Sequence, residues 1–175
     1  MNVLGLDLSM TASGCVVLKD GHLEVKLLIK TKPTAEKTHV KELERLMSIV
    51  SKIEDILSER EIAMVAIEGL SFGSRNSSAL IQLSGLNYMV RKLLYEYKIP
   101  FVIVAPTTLK KYITGKGNGP KDVIMMNIYK KYGVTLTDNN LADGYALARV
   151  AEALMNKDIK LTSFQKEVVA LLKNN

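Results

Sequence analysis

The sequence predicts an α/β domain in which helices flank a five-stranded mixed sheet, and three observations carry that expectation. Five apolar runs of strand length are bounded by turn residues, a hairpin signal joins the second to the third, and the later runs alternate with segments of helical period. Residues 2–9, which mix apolar side chains with Gly5 and Asp7, form the first strand, and residues 14–18 are a second apolar run. Asp20-Gly21, a dipeptide suited to a tight hairpin, leads into a third strand over 22–30. From residue 35 to 60 apolar residues recur at Val40, Leu43, Met47, Val50, Ile53 and Leu57, the spacing of one buried helix face. Residues 62–67, ended by Glu68 and Gly69, make the fourth strand, and 101–105, ahead of Pro106, the fifth; between them 77–97 has helical periodicity. Pro106 and Pro120 each suit a first helical turn, where a missing N–H costs nothing, and the loop 114–119 separates the two helices they open. Apolar residues over 141–156 and 162–173 add two more helices.

At 175 residues and 47% hydrophobic content the chain can bury one substantial core, and no linker-like composition interrupts it, so residues 1–175 are expected to form a single domain. One cysteine, Cys15, excludes a disulfide framework within the chain. The first residues lack the basic start and continuous apolar run of a secretory signal, and no apolar run nears the ~20 residues of a membrane helix, so a cytoplasmic protein is expected. The net charge of +6 is modest, but its distribution is uneven. Between Lys98 and Tyr132 seven lysines face one acid, Asp122, while the other residues balance at seventeen basic and seventeen acidic. Such a concentration around a glycine-rich turn suits either a nucleic-acid backbone or a solvated surface.

Three acids stand where core elements begin or end. Asp7 sits in the apolar first strand, where an ionised carboxylate is expensive unless a cation or hydrogen bonds compensate it. Glu68 closes the fourth strand, and Asp143 opens an apolar helix. If strands one and four are neighbours, Asp7 and Glu68 converge at one edge, and a helix packed across that edge can add Asp143. An oxygen-rich cluster of this kind suits Mg²⁺ or Mn²⁺. Taken singly, each acid has an ordinary alternative: a turn partner for Asp7, an exposed strand end for Glu68, a helix N-terminus for Asp143.

Taken together the motifs resemble those of the RuvC-type Holliday junction resolvases, over residues 2–152. Gly5-Leu6-Asp7-Leu8-Ser9 with Gly14 is similar to the family's first-strand motif, and Ile67-Glu68-Gly69 to its second acidic motif. The stretch from Pro106 through Lys110 to Gly115-Lys116-Gly117 and Lys121 resembles its two lysines eleven residues apart around a Gly-x-Gly turn, and Ala142-Asp143-Gly144-Tyr145-Ala146 its closing acidic helix. The resemblance implies an RNase H-like fold and a homodimer that resolves branched DNA, four-way junctions above all, leaving 5′-phosphate and 3′-hydroxyl ends. It assigns Asp7, Glu68, Asn140 and Asp143 to two divalent ions, Mg²⁺ or Mn²⁺, with Lys121 holding a phosphate beside them. It further implies that Lys110, Lys116 and Lys121 contact DNA and that Phe72, one residue later than the family's aromatic, stacks on an exposed base or else folds back as a hydrophobic cap.

Two departures stand out. Leu8 and Ser9 replace the proline and glycine usual after the first aspartate, and Asn140 occupies the position of a fourth carboxylate, three residues before Asp143. They point to a phage-type or divergent member in which either Asn140 offers its amide oxygen or Asp138 takes its place. For the dimer, residues 77–97 are the candidate helix, with Leu80, Leu83, Leu86, Met89, Val90, Leu93 and Leu94 broader than one core stripe; burial within its own subunit is the alternative. Competing readings are a noncatalytic branched-DNA-binding protein of the same fold, another RNase H-like nuclease, and an actin-like ATPase relative, whose second lobe and second phosphate motif this chain lacks.

Overall fold

The structure, a computed structural model, describes residues 1–33, 36, 38–70, 77–118 and 122–174. The chain opens with three strands, β1 (Asn2–Asp7), β2 (Ala12–Lys19) and β3 (His22–Lys30), followed by helix α1 (His39–Glu59), strand β4 (Ile62–Glu68), helix α2 (Ser77–Glu96) and strand β5 (Phe101–Val104). Helices α3 (Pro106–Thr114), α4 (Asp122–Tyr132), α5 (Asn139–Met155) and α6 (Ser163–Lys173) complete it. At the β2–β3 hairpin Asp20 and Gly21 adopt φ of 48° and 80°, the doubly left-handed turn whose twist matches the strands it joins. No helix among the described residues is long and apolar enough to cross a membrane.

The sheet order is β3-β2-β1-β4-β5, with β1 antiparallel to β2 and parallel to β4. Strand alternation divides β1 between two cores. Leu4, Leu6 and Leu8 enter the layer under α1 and α2, whereas Val3 enters the layer under α3, α4, α5 and α6. Gly5 and Asp7 share the Val3 side of the strand. Leu8, at 7% exposure, therefore fills a core position, and Ser9 builds the following turn: its carbonyl accepts from the Ser13 hydroxyl at 2.7 Å while its N–H donates to the same hydroxyl oxygen at 3.0 Å. Arg45 of α1 pins that turn from outside by donating to the Met10 carbonyl. The departure at positions 8 and 9 is thus a packing and turn solution that holds the end of β1 in place.

Two expectations about helix faces need correcting. On α1 the buried line is Leu46, Ile49, Ile53, Ile56 and Leu57, while Val40, Leu43 and Met47 are 65%, 49% and 54% exposed. Two apolar lines with the same spacing run along this helix and meet at Ile53 and Leu57, and periodicity alone cannot say which one the sheet covers. On α2, Leu86, Val90, Leu93 and Leu94 are buried in the chain's own core, and Leu83 packs against them. Its outward side is instead Ile81, Tyr88 and Tyr95, 71%, 66% and 79% exposed and seven residues apart.

Candidate active site

The site arises from one register and two glycines. Leu6 of β1 pairs with Ile67 of β4 in parallel, so the next residues along, Asp7 and Glu68, end adjacent strands side by side. Helix α5 crosses this end of the sheet at very short range. A Cβ on Gly5 would lie 2.0 Å from the Gly144 carbonyl oxygen, and one on Gly14 2.0 Å from that of Asn140, so only glycine admits the helix backbone. Gly14 is in turn the register partner of Asp7. Asp7, Gly14 and the first turn of α5 are therefore stacked neighbours, and Asp143 follows Asn140 by three residues on the same helical face.

Asp7, Glu68, Asn140 and Asp143 all line one cavity of about 500 Å³, together with Leu8, Gly69, Leu80, Leu83, Asn87 and Lys110. Asp7 is 7% exposed, whereas Glu68, Asn140, Asp143 and Lys110 are half-buried. Asp138 is placed differently. It caps α5, its Oδ1 accepting from the N–H groups of Asn140 at 2.8 Å and Leu141 at 3.4 Å, which satisfies donors that begin the helix. Of positions 138 and 140, Asn140 borders the cavity and Asp138 does not line it. Behind Asp7 the Cys15 thiol is fully buried, and burial first, then the Asp7 charge, push its pKa up to about 12, so it stays a neutral thiol.

The donor set fits hard divalent cations, since three carboxylates and amide oxygens are the ligands Mg²⁺ and Mn²⁺ prefer. Among the described residues no three acidic, histidine or cysteine side chains are drawn together tightly enough to ligate an ion as they stand.

The lysine-rich segment is only partly on view. Lys110 reaches the cavity from α3, and Gly115, at φ 80°, ends that helix with its N–H donating to the Lys111 carbonyl at 2.9 Å. Beyond it, the Thr114 hydroxyl sits 2.9 Å from the Lys116 carbonyl to which it donates, folding Lys116 back beside α3, where it is exposed. Lys111 turns away to pair with Glu167 at 2.7 Å. Lys121 and Phe72 lie outside the described residues. Sequence reasoning passed over Asn87, although its spacing of four from Leu83 and seven from Leu80 puts a polar side chain on the apolar side of α2.

The family model for crossover junction endodeoxyribonuclease RuvC matches residues 3–151. The chain is 30% identical over 154 residues to the RuvC of Rickettsia bellii, covering 85% of this chain and 94% of that one. It superimposes on Thermus thermophilus RuvC, solved with a Holliday junction substrate, with a TM-score of 0.71 at 20% identity, over 85% of this chain and 90% of the other. The yeast mitochondrial Holliday junction resolvase Ydc2 shares the fold with a TM-score of 0.55 at 12% identity, covering 98% and 80% of the two chains. The fold is RNase H-like, as the sheet order and its neighbours agree. With the family model spanning both strand-end acids and the acidic helix, the chain belongs to the RuvC family of crossover junction endodeoxyribonucleases.

Proposed function

We propose that this chain resolves four-way junctions and related branched DNA by metal-dependent phosphodiester hydrolysis at Asp7, Glu68, Asn140 and Asp143. The observation that supports it best is that these four residues, contributed by β1, β4 and α5, border a single cavity. Members of the family are metal-dependent nucleases, and two ions, Mg²⁺ or Mn²⁺, are the proposed cofactor here. When bound, such ions neutralise phosphate charge and make water a better nucleophile.

The protein's own part is positional. Asp7 and Glu68, fixed by strand register, hold their carboxylates at the C-terminal ends of two central strands, and α5, held by its glycine contacts, brings Asn140 and Asp143 toward them. Asn140 adds an oxygen without adding charge. Lys110 at the cavity rim, together with Lys116 and Lys121, is proposed to hold the DNA backbone. The leaving group is the 3′ oxygen, which gives 5′-phosphate and 3′-hydroxyl ends.

Symmetric cutting of two strands calls for two sites, and a two-fold homodimer supplies them. The exposed line of Ile81, Tyr88 and Tyr95 on α2 supports that assembly, because a repeated apolar stripe on a surface helix is the pattern of a helix–helix contact. A second reading, a junction-binding protein without cleavage, draws on the neutral Asn140. Labelled four-way, three-way and linear DNA incubated with and without Mg²⁺ or Mn²⁺ separates the two. Metal-dependent incision of the four-way substrate is expected, and Asp7→Asn and Glu68→Gln should bind but not cut. Tight binding with no incision in either metal favours the second reading.

A further inference from the structure

Asn87 of α2 is 1% exposed, and both its Oδ1 and its Nδ2 are buried without a hydrogen-bond partner. It nonetheless lines the cavity shared by Asp7, Glu68, Asn140 and Asp143. The rest of the α2 wall in that cavity is Ala79, Leu80 and Leu83, so Asn87 is the one polar side chain that the described part of this helix contributes there. An amide brings two donors and an acceptor, and leaving all of them unmet in a protein interior is unfavourable. Leucine, larger than asparagine but with the same branched heavy-atom skeleton, would continue the line of Leu80 and Leu83 without that cost. Packing therefore does not account for an amide at position 87, and the space it borders is the one that water and a phosphate must enter for cleavage.

We infer that Asn87 is a positioning residue for the attacking water, its side chain turning toward the cavity so that Oδ1 accepts one of the water's hydrogens when the cavity is filled. The amide has no basic site near neutral pH, so it directs the water without deprotonating it. The water oxygen bonds to phosphorus as the bond to the 3′ oxygen breaks; one water proton is lost to solvent, and the leaving oxygen takes one up. The neutral amide performs this orientation without adding to the negative charge a phosphate must approach. The inference rests on the proposed centre at Asp7 and Glu68, so Asp7→Asn is measured beside it.

Asn87→Leu is expected to melt at or above the wild-type temperature and to bind a four-way junction in Ca²⁺ with wild-type affinity. Its single-turnover cleavage at saturating enzyme in Mn²⁺ should fall about 10- to 100-fold, the loss typical when a group supporting a metal centre is removed. A titration of Mn²⁺ alone, followed by melting temperature, should show a smaller metal-induced rise than in the wild type. Asn87→Asp keeps an acceptor and should recover part of the rate, with a rate that climbs with pH as the new carboxyl ionises, which a purely structural residue would not produce. Should Asn87→Leu fail to fold, Asn87→Ala replaces it and the same readings decide. Cleavage within about twofold of wild type beside an inactive Asp7→Asn overturns the role of Asn87 and leaves the centre standing. Normal cutting by Asp7→Asn overturns the centre and this inference with it.

Discussion

Gly14→Ala tests the contact on which the geometry of the site depends. The new Cβ would stand 2.0 Å from the Asn140 carbonyl oxygen and 2.4 Å from its carbonyl carbon. Real Cβ contacts essentially never fall under 3.0 Å, so strand and helix must part by roughly 1 Å. Both partners are backbone, and no side-chain rotation relieves the clash. Overpacking of this kind costs roughly 1–3 kcal/mol, which at about 2–4 °C per kcal/mol for a chain of this size lowers Tm by roughly 2–12 °C. The displacement falls on the first turn of α5, which carries Asn140 and, one turn on, Asp143. Moving a reacting group by about 1 Å costs on the order of 100-fold in rate. Gly133→Ala supplies the control: at φ 67° with nothing within 4 Å of a Cβ, it stores only left-handed backbone strain of about 1–2 kcal/mol and leaves α5 where it is. Melting temperature and single-turnover junction cleavage are measured on both variants at a temperature where each is folded. Gly14→Ala should lose rate and stability together, Gly133→Ala stability alone. A Gly14→Ala protein that cuts at the wild-type rate, or a Gly133→Ala protein that loses as much rate, would refute the reasoning.

Three further outcomes are expected. Asn140→Asp should tighten Mn²⁺ binding and raise cleavage at limiting metal, because it adds a fourth carboxylate to the cavity; Asp138→Ala, which removes a helix cap, should cost about 1 kcal/mol of stability and leave the metal dependence unchanged. Equal metal titrations for Asn140→Asp and wild type would remove position 140 from the centre. Tyr88→Glu should shift sedimentation from dimer to monomer at micromolar concentration while Tm stays near wild type, since Tyr88 is exposed and its recorded ring contact is with Arg91 at 5.0 Å. Cys15 titrates at a higher pH folded than unfolded, so the unfolded chain loses its thiol proton first and stability declines as pH rises from about 9 toward 12. Chemical denaturation across that range should show a shallower alkaline decline in Cys15→Ala.

Asp7, Glu68 and Asp143 were legible because each interrupts or bounds an apolar run, and a charge at such a place needs a reason. The β2–β3 hairpin was legible for the same local cause, the Asp20-Gly21 turn, whereas the adjacency of β1 and β4 entered the sequence reading only as a condition and is set by the tertiary pairing. Helix orientation was not legible either. The two apolar lines of α1 have the same three-to-four spacing, and the choice between Val40, Leu43, Met47 and Leu46, Ile49, Ile56 is made by the sheet surface they meet. On α2 the same ambiguity concealed Asn87 among leucines and hid the outward stripe of Ile81, Tyr88 and Tyr95, since an apolar residue on a helix carries no mark of which surface covers it. Gly5 and Gly14 were visible as motif residues, but their reason is tertiary: each is small because the backbone of α5 lies where a side chain would be.

That last point explains why the four cavity residues can come from places so far apart in the chain. Pairing of Leu6 with Ile67 sets Asp7 beside Glu68 to within one strand spacing, whatever the intervening sixty residues do. Pairing of Asp7 with Gly14 places the only residue type that admits a helix backbone next to the first acid. Asn140 is then located by its own carbonyl resting on Gly14, and Asp143 by the pitch of the helix. Each link is a backbone contact, and backbone contacts tolerate little adjustment. Side chains around the cavity, such as Leu8 in place of proline, can therefore vary without moving the carboxylates, while a single methyl group on Gly5 or Gly14 must displace the backbone of α5.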